Sequence, residues 1–502
     1  MKRQISVGIV LSFFSQVITI IVGLAYTPVM IRILGQNEYG LYQLVLSVVN
    51  YLNLMNLGFN GAYIRYYTLA KRKRDDNEVA NINGMFMRIF LIIATLCLVV
   101  GMVLFFNIGI LGEKISSDDY VIAKRLLVIM VINLAISFPN SLYVAYMSAN
   151  ERFVYQKVLG IIINIAIPII NIPLLLSGMG SVGVVSVTLF LTIIRLLLNA
   201  WYCYFKLNMK INFGYFDKNI FKSLLVYTFF IFLSDIVEQL NSNVDKLLLG
   251  RIVGTVATAV YSVGFNLKEY YTIVSWIVPE MFVPEANRLA IEKKQNDELN
   301  NLFTKCGKFN NYLMLLILSG FFLTGQQFIL LWVGIEYKTS YYATLILMFA
   351  GYIPAVQTLG VNIQNAKYMH KVRSIVYFFI ACINVVASVI LIKMWGVVGT
   401  CLGTLFATLL GHGIFMNYYY HYKIGLNVIT FWKEILKWII PVGILTAGSK
   451  VVLNYFIIDS WMKMFVFCVI YAIVYVVMLY AIELNSEQRK IVKEDIKKIV
   501  KK

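Results

Sequence analysis

The chain has 502 residues, 60% hydrophobic and only 14% charged, with a mean hydropathy of +0.76. A helix crosses the hydrocarbon core with about 20 apolar residues. Apolar windows of that length recur from Ser6 to Ile482, which leaves no room for a sizeable water-soluble catalytic domain. The net charge of +19 would suit nucleic acid only if it gathered in one place, and it is spread along the whole chain.

In chain order the predicted spans cover roughly 6–33, 39–63, 84–112, 121–148, 156–177, 180–205, 222–250, 254–287, 308–333, 340–366, 372–395, 397–420, 433–457 and 461–483. Lys2-Arg3 ahead of the first reads as the flank of a retained helix, with no cleavable signal pattern. With the N-terminus inside, the inner segments 2–3, 65–88, 152–157, 206–222, 288–308, 367–373, 423–437 and 489–502 hold 32 of the 44 Lys and Arg. Outer segments hold 10, and Arg195 and Lys268 fall within spans. Such alternation is the positive-inside pattern, so the basic excess reports topology and attraction to anionic lipid rather than nucleic acid. The expected fold is all-α: a polytopic membrane protein of about 14 transmembrane helices with both termini cytoplasmic. The basic tail, with Ile491, Val492, Ile496, Ile499 and Val500 at amphipathic spacing, suits an interfacial helix. Six cysteines without a CxxC, and three histidines without ligand spacing, support no disulfide, metal or cofactor.

The chain repeats itself. Arg32-Ile33-Leu34-Gly35 with Tyr42 seven residues on recurs as Arg251-Ile252-Val253-Gly254 with Tyr261. Gly180-x-x-Gly183 leading to Thr188-Leu189-Phe190-x-Thr192 recurs as Gly396-x-x-Gly399 leading to Thr404-Leu405-Phe406-x-Thr408. The expected organisation is a six-helix lobe at 1–213, a second at 214–424, helices 13 and 14 at 425–485 and the cytoplasmic tail at 486–502. Six is even, so the lobes share one orientation; parallel repeats of this kind serve transporters that bind substrate between halves near the midplane. No GxxxxGK[ST] occurs, so this chain does not itself use ATP.

Ionised residues at bilayer depth cost several kcal/mol and are functional candidates by default. The cations are Arg32 and Arg251 at the outer ends of spans 1 and 7, Arg195 in span 6, Lys246 in span 7 and Lys268 in span 8. The acids are Asp235, Glu238 and Asp245 in span 7 and Glu269, Glu280 and Glu285 in span 8. Arg195 either binds an anion or pairs with an acid such as Asp235; Lys246 beside Asp245, and Lys268 beside Glu269, are either neutralised locally or free to bind. Asp235 and Glu238 share one helical face and serve either as an ion-coupling site or as partners of Arg195 and Lys268. Asn50, Asn53, Asn56 and Asn60 form a polar stripe along span 2 that lines a cavity or a helix contact. Pro168, Pro173, Pro279, Pro284 and Pro354 mark expected kinks.

Three stretches carry a family resemblance: Thr27-Pro28 through Arg32-Ile-Leu-Gly35-Gln-Asn-Glu38-Tyr39-Gly40-Leu-Tyr42, the loop Ala149-Asn150-Glu151-Arg152-Phe153, and Asn243-Val-Asp245-Lys246-Leu-Leu-Leu-Gly250 with Gly254 and Tyr261. Together, over nearly the whole chain, they resemble Wzx-type polysaccharide flippases of the multidrug/oligosaccharidyl-lipid/polysaccharide exporter superfamily, which also holds the MATE transporters and the lipid II flippase MurJ. Ala259 or Val260 stands where the resemblance leads one to expect a glycine before Tyr261. The resemblance implies MATE-like lobes around a cationic cavity in the bacterial cytoplasmic membrane. It also implies transfer of undecaprenyl-pyrophosphate-linked oligosaccharide from inner to outer leaflet, with no cofactor. Membrane lipids, a polysaccharide polymerase and glycosyltransferases are the implied partners. A diphosphate carries about two charges that hydrocarbon excludes, and Arg195, Lys246 and Lys268 are the expected contacts, with Arg32 and Arg251 on the release side. Asn53, Asn56 and Asn60 would line the cavity.

The alternative is a MATE-like cation-coupled multidrug antiporter, which would need Asp235 and Glu238 unpaired and leaves Arg195 awkward. A major-facilitator symporter should carry a Gly-rich signature after span 2, where Leu69-Ala-Lys-Arg-Lys-Arg-Asp-Asp76 stands instead. A membrane polymerase or ligase would need a large outer loop, and none of the expected outer loops is long.

Overall fold

Helix is the only regular structure among the described residues, as hydrocarbon demands of a chain that must satisfy each backbone N–H and C=O within its own segment. The computed structural model describes residues 2–73, 75–112, 116–291, 296–367 and 369–483. The tail expected at 486–502 lies outside the described residues.

The helices in order are α1 Lys2–Leu52, α2 Phe59–Arg72, α3 Asp76–Phe106, α4 Ser117–Ala149, α5 Phe153–Leu176, α6 Gly180–Trp201, α7 Lys218–Ile252, α8 Thr255–Ser275, α9 Ile277–Ile291, α10 Asn296–Trp332, α11 Lys338–Val356, α12 Thr358–Ala366, α13 His370–Thr408, the single turn α14 Asn417–Tyr419, α15 Val428–Leu436, α16 Ile439–Tyr455 and α17 Trp461–Glu483. Among the described residues ten stretches are long and apolar enough to cross a membrane. The chain is a multi-pass membrane protein. The first stretch, Leu11–Arg72, has 62 residues, far more than the about 20 a bilayer accommodates. It is broken at Gly35 (φ 74°, ψ 173°), as Val372–Ile424 is at Gly396 (φ 54°, ψ −126°).

Gly35 and Gly254 both have positive φ, and so do Gly180 and Gly396, the glycines at matching places in the repeated motifs. The second limb of α1 ends in a 3₁₀ turn at Asn53–Asn56, followed by Leu57 and Gly58 in the left-handed region before α2 begins. The equivalent stretch of the second repeat is interrupted at Trp276, between α8 and α9.

Two compact units emerge, and they cut across the repeat: residues up to Ile273 with Met369–Met416, and Val274–Tyr368 with Asn417 onward. In the first, α3 packs on α4, α4 on α6, α1 on α5 and α13 on α7. Leu41, Tyr63, Phe86, Phe90, Leu126, Phe138 and Leu142 form its fully buried core. The residues of the opening motif build its joints. The Glu38 carboxylate accepts from the backbone N–H and the hydroxyl of Ser181, both at 2.6 Å, and so caps the N-terminus of α6. The Asn37 amide donates to both carboxylate oxygens of Asp119 at 3.0 Å and accepts from Thr255. A Cβ on Gly40 would stand 1.9 Å from the Thr255 carbonyl, and one on Gly250 would stand 2.5 Å from Leu44, so two glycines let α1 lie against α7 and α8. The loop motif ends α4: Asn150 accepts from Tyr67 (3.0 Å) and Lys71 (2.6 Å), and Glu151 adopts φ 59°.

In the second unit α10 is the spine, contacting α9, α11, α15, α16 and α17. Lys308 on α10 pairs with Glu434 on α15 (3.7 Å) and with Glu483 at the end of α17. Tyr471 donates to Ser319 at 2.7 Å above a small cluster of Leu323, Met464 and Phe467.

Gly35 sits where only glycine is comfortable, so Gly35→Ala should cost about 1–3 kcal/mol. Thermal melting of the detergent-solubilised protein should fall accordingly, while Gly160→Ala, in open space on α5, should leave it unchanged or higher.

Candidate functional site

The intramembrane charges of the first unit fall into three separate settings. Asp245, on α7, is fully buried (0% exposed). Its carboxylate accepts three hydroxyl hydrogen bonds, from Tyr261 on α8 (3.0 Å), Ser388 on α13 (3.0 Å) and Thr404 beyond the α13 break (2.9 Å). The adjoining Asn384 and Thr400 are buried as well. Three donors from three chain segments replace the water that an ionised carboxylate would otherwise need. One negative charge and a shell of hydroxyl oxygens can accept a proton or a small monovalent cation.

One residue on, Lys246 points elsewhere. It is 7% exposed, and its ammonium lies 4.8 Å from the Phe265 ring centroid. Lys268 approaches the same ring at 5.2 Å and pairs with Glu269 at 2.8 Å. Two lysines, one glutamate and one aromatic face make a cluster with one positive charge in surplus. Of the two lysines, Lys268 is neutralised by its neighbour, whereas Lys246 forms no ion pair among the described residues.

Arg195 is the third setting. It lies fifteen residues into α6, about 22 Å along the helix axis. Its Nε is buried with no hydrogen-bond partner, and it forms no ion pair among the described residues. Asp235 is half-buried and Glu238 exposed on α7, and neither pairs with Arg195 or Lys268. Arg32 and Arg251 are both exposed, at the ends of the first limb of α1 and of α7.

The asparagine stripe does not run along one helix, because the 3₁₀ turn at Asn53–Asn56 interrupts it. Asn50 donates to Asn243 at 3.2 Å, which donates to Gln239 at 2.6 Å. Asn53 is exposed, whereas Asn56 and Asn60 each keep a buried side-chain oxygen without a partner.

A family model described as "Polysaccharide biosynthesis protein" matches residues 29–342. The chain belongs to that family. A "Putative O-antigen transporter" of Shigella flexneri is 20% identical over 364 residues, covering 70% of this chain and 84% of the relative. Among solved structures, the lipid II flippase MurJ in an inward closed conformation aligns with TM-score 0.72 at 15% identity, covering 94% of this chain and 97% of the other. An inward-facing multidrug resistance MATE family transporter of the MOP superfamily aligns with TM-score 0.59 at 13% identity, covering 78% and 93%. At such identities these likenesses establish the fold. The relatives so named are transporters and flippases rather than enzymes.

For this member of the polysaccharide biosynthesis family, Tyr261 and Thr404 were legible as repeat residues without a role, and no motif marked Ser388. The signal that ties them together is the carboxylate. The repeat position of Asp245 in the first half is Tyr26, beside the fully buried Asn171. The carboxylate therefore exists in one half only.

Asp245→Ala should strand three buried hydroxyls and destabilise the protein by about 2–4 kcal/mol, read as thermal melting, while Asp245→Asn keeps acceptor capacity and should cost less.

Proposed function

We propose that the chain flips an undecaprenyl-pyrophosphate-linked oligosaccharide from the inner to the outer leaflet of the bacterial cytoplasmic membrane, for assembly of a surface polysaccharide. The observation that carries this reading is the cation inside the spans: Arg195, without an ion pair among the described residues, and Lys246, set against the Phe265 ring and near Glu269 but in no ion pair among the described residues. A desolvated guanidinium and ammonium lower the barrier for a diphosphate, which hydrocarbon alone would exclude. The names of the Shigella flexneri relative and of MurJ support a lipid-linked saccharide as the class of substrate.

In this reading fourteen spans, with both termini cytoplasmic, form lobes at 1–213 and 214–424 that alternate access, with 425–485 appended. Arg195, Lys246 and Lys268 hold the anion, Arg32 and Arg251 receive it on the outer side, and Asn53, Asn56 and Asn60 offer amides to the sugars. An inside-negative potential favours outward movement of the anion by about 2.3 kcal/mol per charge per 100 mV. Asp245, with the hydroxyls of Tyr261, Ser388 and Thr404, takes up the coupling proton or monovalent cation that biases the return step.

Arg195→Gln should abolish surface polysaccharide while leaving the amount of protein in the membrane normal; normal polysaccharide would remove Arg195 from the site. Sodium in place of choline, or a lower pH, should raise the melting temperature of the wild type and leave Asp245→Asn unmoved. A cationic drug as the retained ligand, with no polyprenyl diphosphate bound, would shift the assignment to a MATE-like antiporter using Asp235 and Glu238.

A further inference from the structure

The inner end of α13 carries a cluster that the transport site does not use. Arg373, on its first turn, keeps one guanidinium nitrogen (Nη1) buried without a hydrogen-bond partner, and it forms no ion pair among the described residues. One turn further along, Tyr377 places its hydroxyl 3.3 Å from Nδ1 of His412, and the two rings lie 4.8 Å apart. Arg373 is close enough for its charge to act on His412.

His412 lies where the winding of the chain changes. The segment Leu409–Met416 is a π-helix, starting immediately after the repeated Thr404-Leu405-Phe406-x-Thr408. Counted from that repeat, Arg195 in the first half corresponds to Gly411 in the second. Gly411 permits the approach, since a Cβ there would stand 2.5 Å from Ile380 Cδ1 on α13.

We propose that Arg373, Tyr377 and His412 form a second anion site, for the phosphate of a lipid headgroup at the cytoplasmic face. The set offers a guanidinium, a phenol and an imidazole, with no carboxylate paired to the guanidinium. A desolvated N–H without an acceptor is costly, and a phosphate oxygen is the acceptor that relieves it. Arg373 lies in the segment 367–373, which the alternation of basic loops puts on the inner side, at the depth of headgroups. Two sources share the chemistry: the lipid-linked diphosphate, whose candidacy rests on the function proposed above, and an anionic membrane phospholipid.

The test is native mass spectrometry of the purified full chain, titrated separately with undecaprenyl diphosphate and with phosphatidylglycerol, against phosphatidylcholine. Wild type, Arg373→Gln, Tyr377→Phe and Arg195→Gln are compared. Loss of one charge-assisted contact should weaken retention about tenfold in Arg373→Gln. If only undecaprenyl diphosphate is weakened, the transported lipid occupies the site; if only phosphatidylglycerol is weakened, the site stands and a membrane lipid fills it. Unchanged retention of both lipids by Arg373→Gln, at unchanged melting temperature, overturns the site. Should Arg373→Gln not fold, Tyr377→Phe keeps the ring and removes one donor, and unchanged retention there overturns it equally. Loss in Arg195→Gln alone leaves the flippase reading intact and removes this one. No undecaprenyl diphosphate on the wild type removes the flippase reading, while the phosphatidylglycerol arm still decides the anion site. Neither lipid on the wild type overturns it.

Discussion

A carboxylate inside a helix bundle has to be surrounded by hydrogen-bond donors, and in this protein that requirement ties four chain segments together. Asp245 on α7 draws in Tyr261 from α8, Ser388 from α13 and Thr404 from beyond the α13 break. The hydrophobic effect gives helices no reason to associate within lipid, whose tails are as apolar as leucine. Buried polar contacts of this kind, and the close approaches allowed by Gly40 and Gly250, are what hold α1, α7, α8 and α13 at defined positions. The same contact occupies Asp245 on the face away from Lys246, so neighbouring residues of opposite charge do not cancel.

That separation shapes the electrostatics of the first unit. Lys268 is neutralised by Glu269, and Asp245 is enclosed by hydroxyls. Lys246 on its aromatic ring and Arg195 with its buried Nε form no ion pair among the described residues. Charges at bilayer depth are rare, and these two sit inside the spans of a chain that belongs to the polysaccharide biosynthesis family.

The residues that carry the family resemblance have mostly mechanical tasks. Glu38 caps α6, Asn37 bridges Asp119 and Thr255, Gly40 gives room to the Thr255 carbonyl, and Asn150 closes the turn after α4. Short polar side chains and glycines recur at these joints because backbone ends must be satisfied where helices meet, and few side chains fit. The seventh-span motif is different in kind, since Asp245 and Lys246 within it face two distinct polar environments.

Hydropathy and the spacing of apolar runs determined the helical fold, because a chain in hydrocarbon has almost no other way to satisfy its backbone. The duplicated glycines, Gly35 with Gly254 and Gly180 with Gly396, were legible for the same reason: a backbone junction needing positive φ leaves a residue type behind. Breaks near Pro279 and Pro354 were foreseeable, and the chain is interrupted close to both, at Trp276 and Gln357. The interruption of the asparagine stripe by a 3₁₀ turn was not legible, since no proline marks it. Which charges pair lay beyond the sequence as well. Adjacent residues on a helix point about 100° apart, so proximity in the chain says little about contact across helices. Only the tertiary structure brought Ser388 and Thr404 to Asp245, placed two lysines on Phe265, left Arg195 and Arg373 without an ion pair among the described residues, and set His412 against Tyr377.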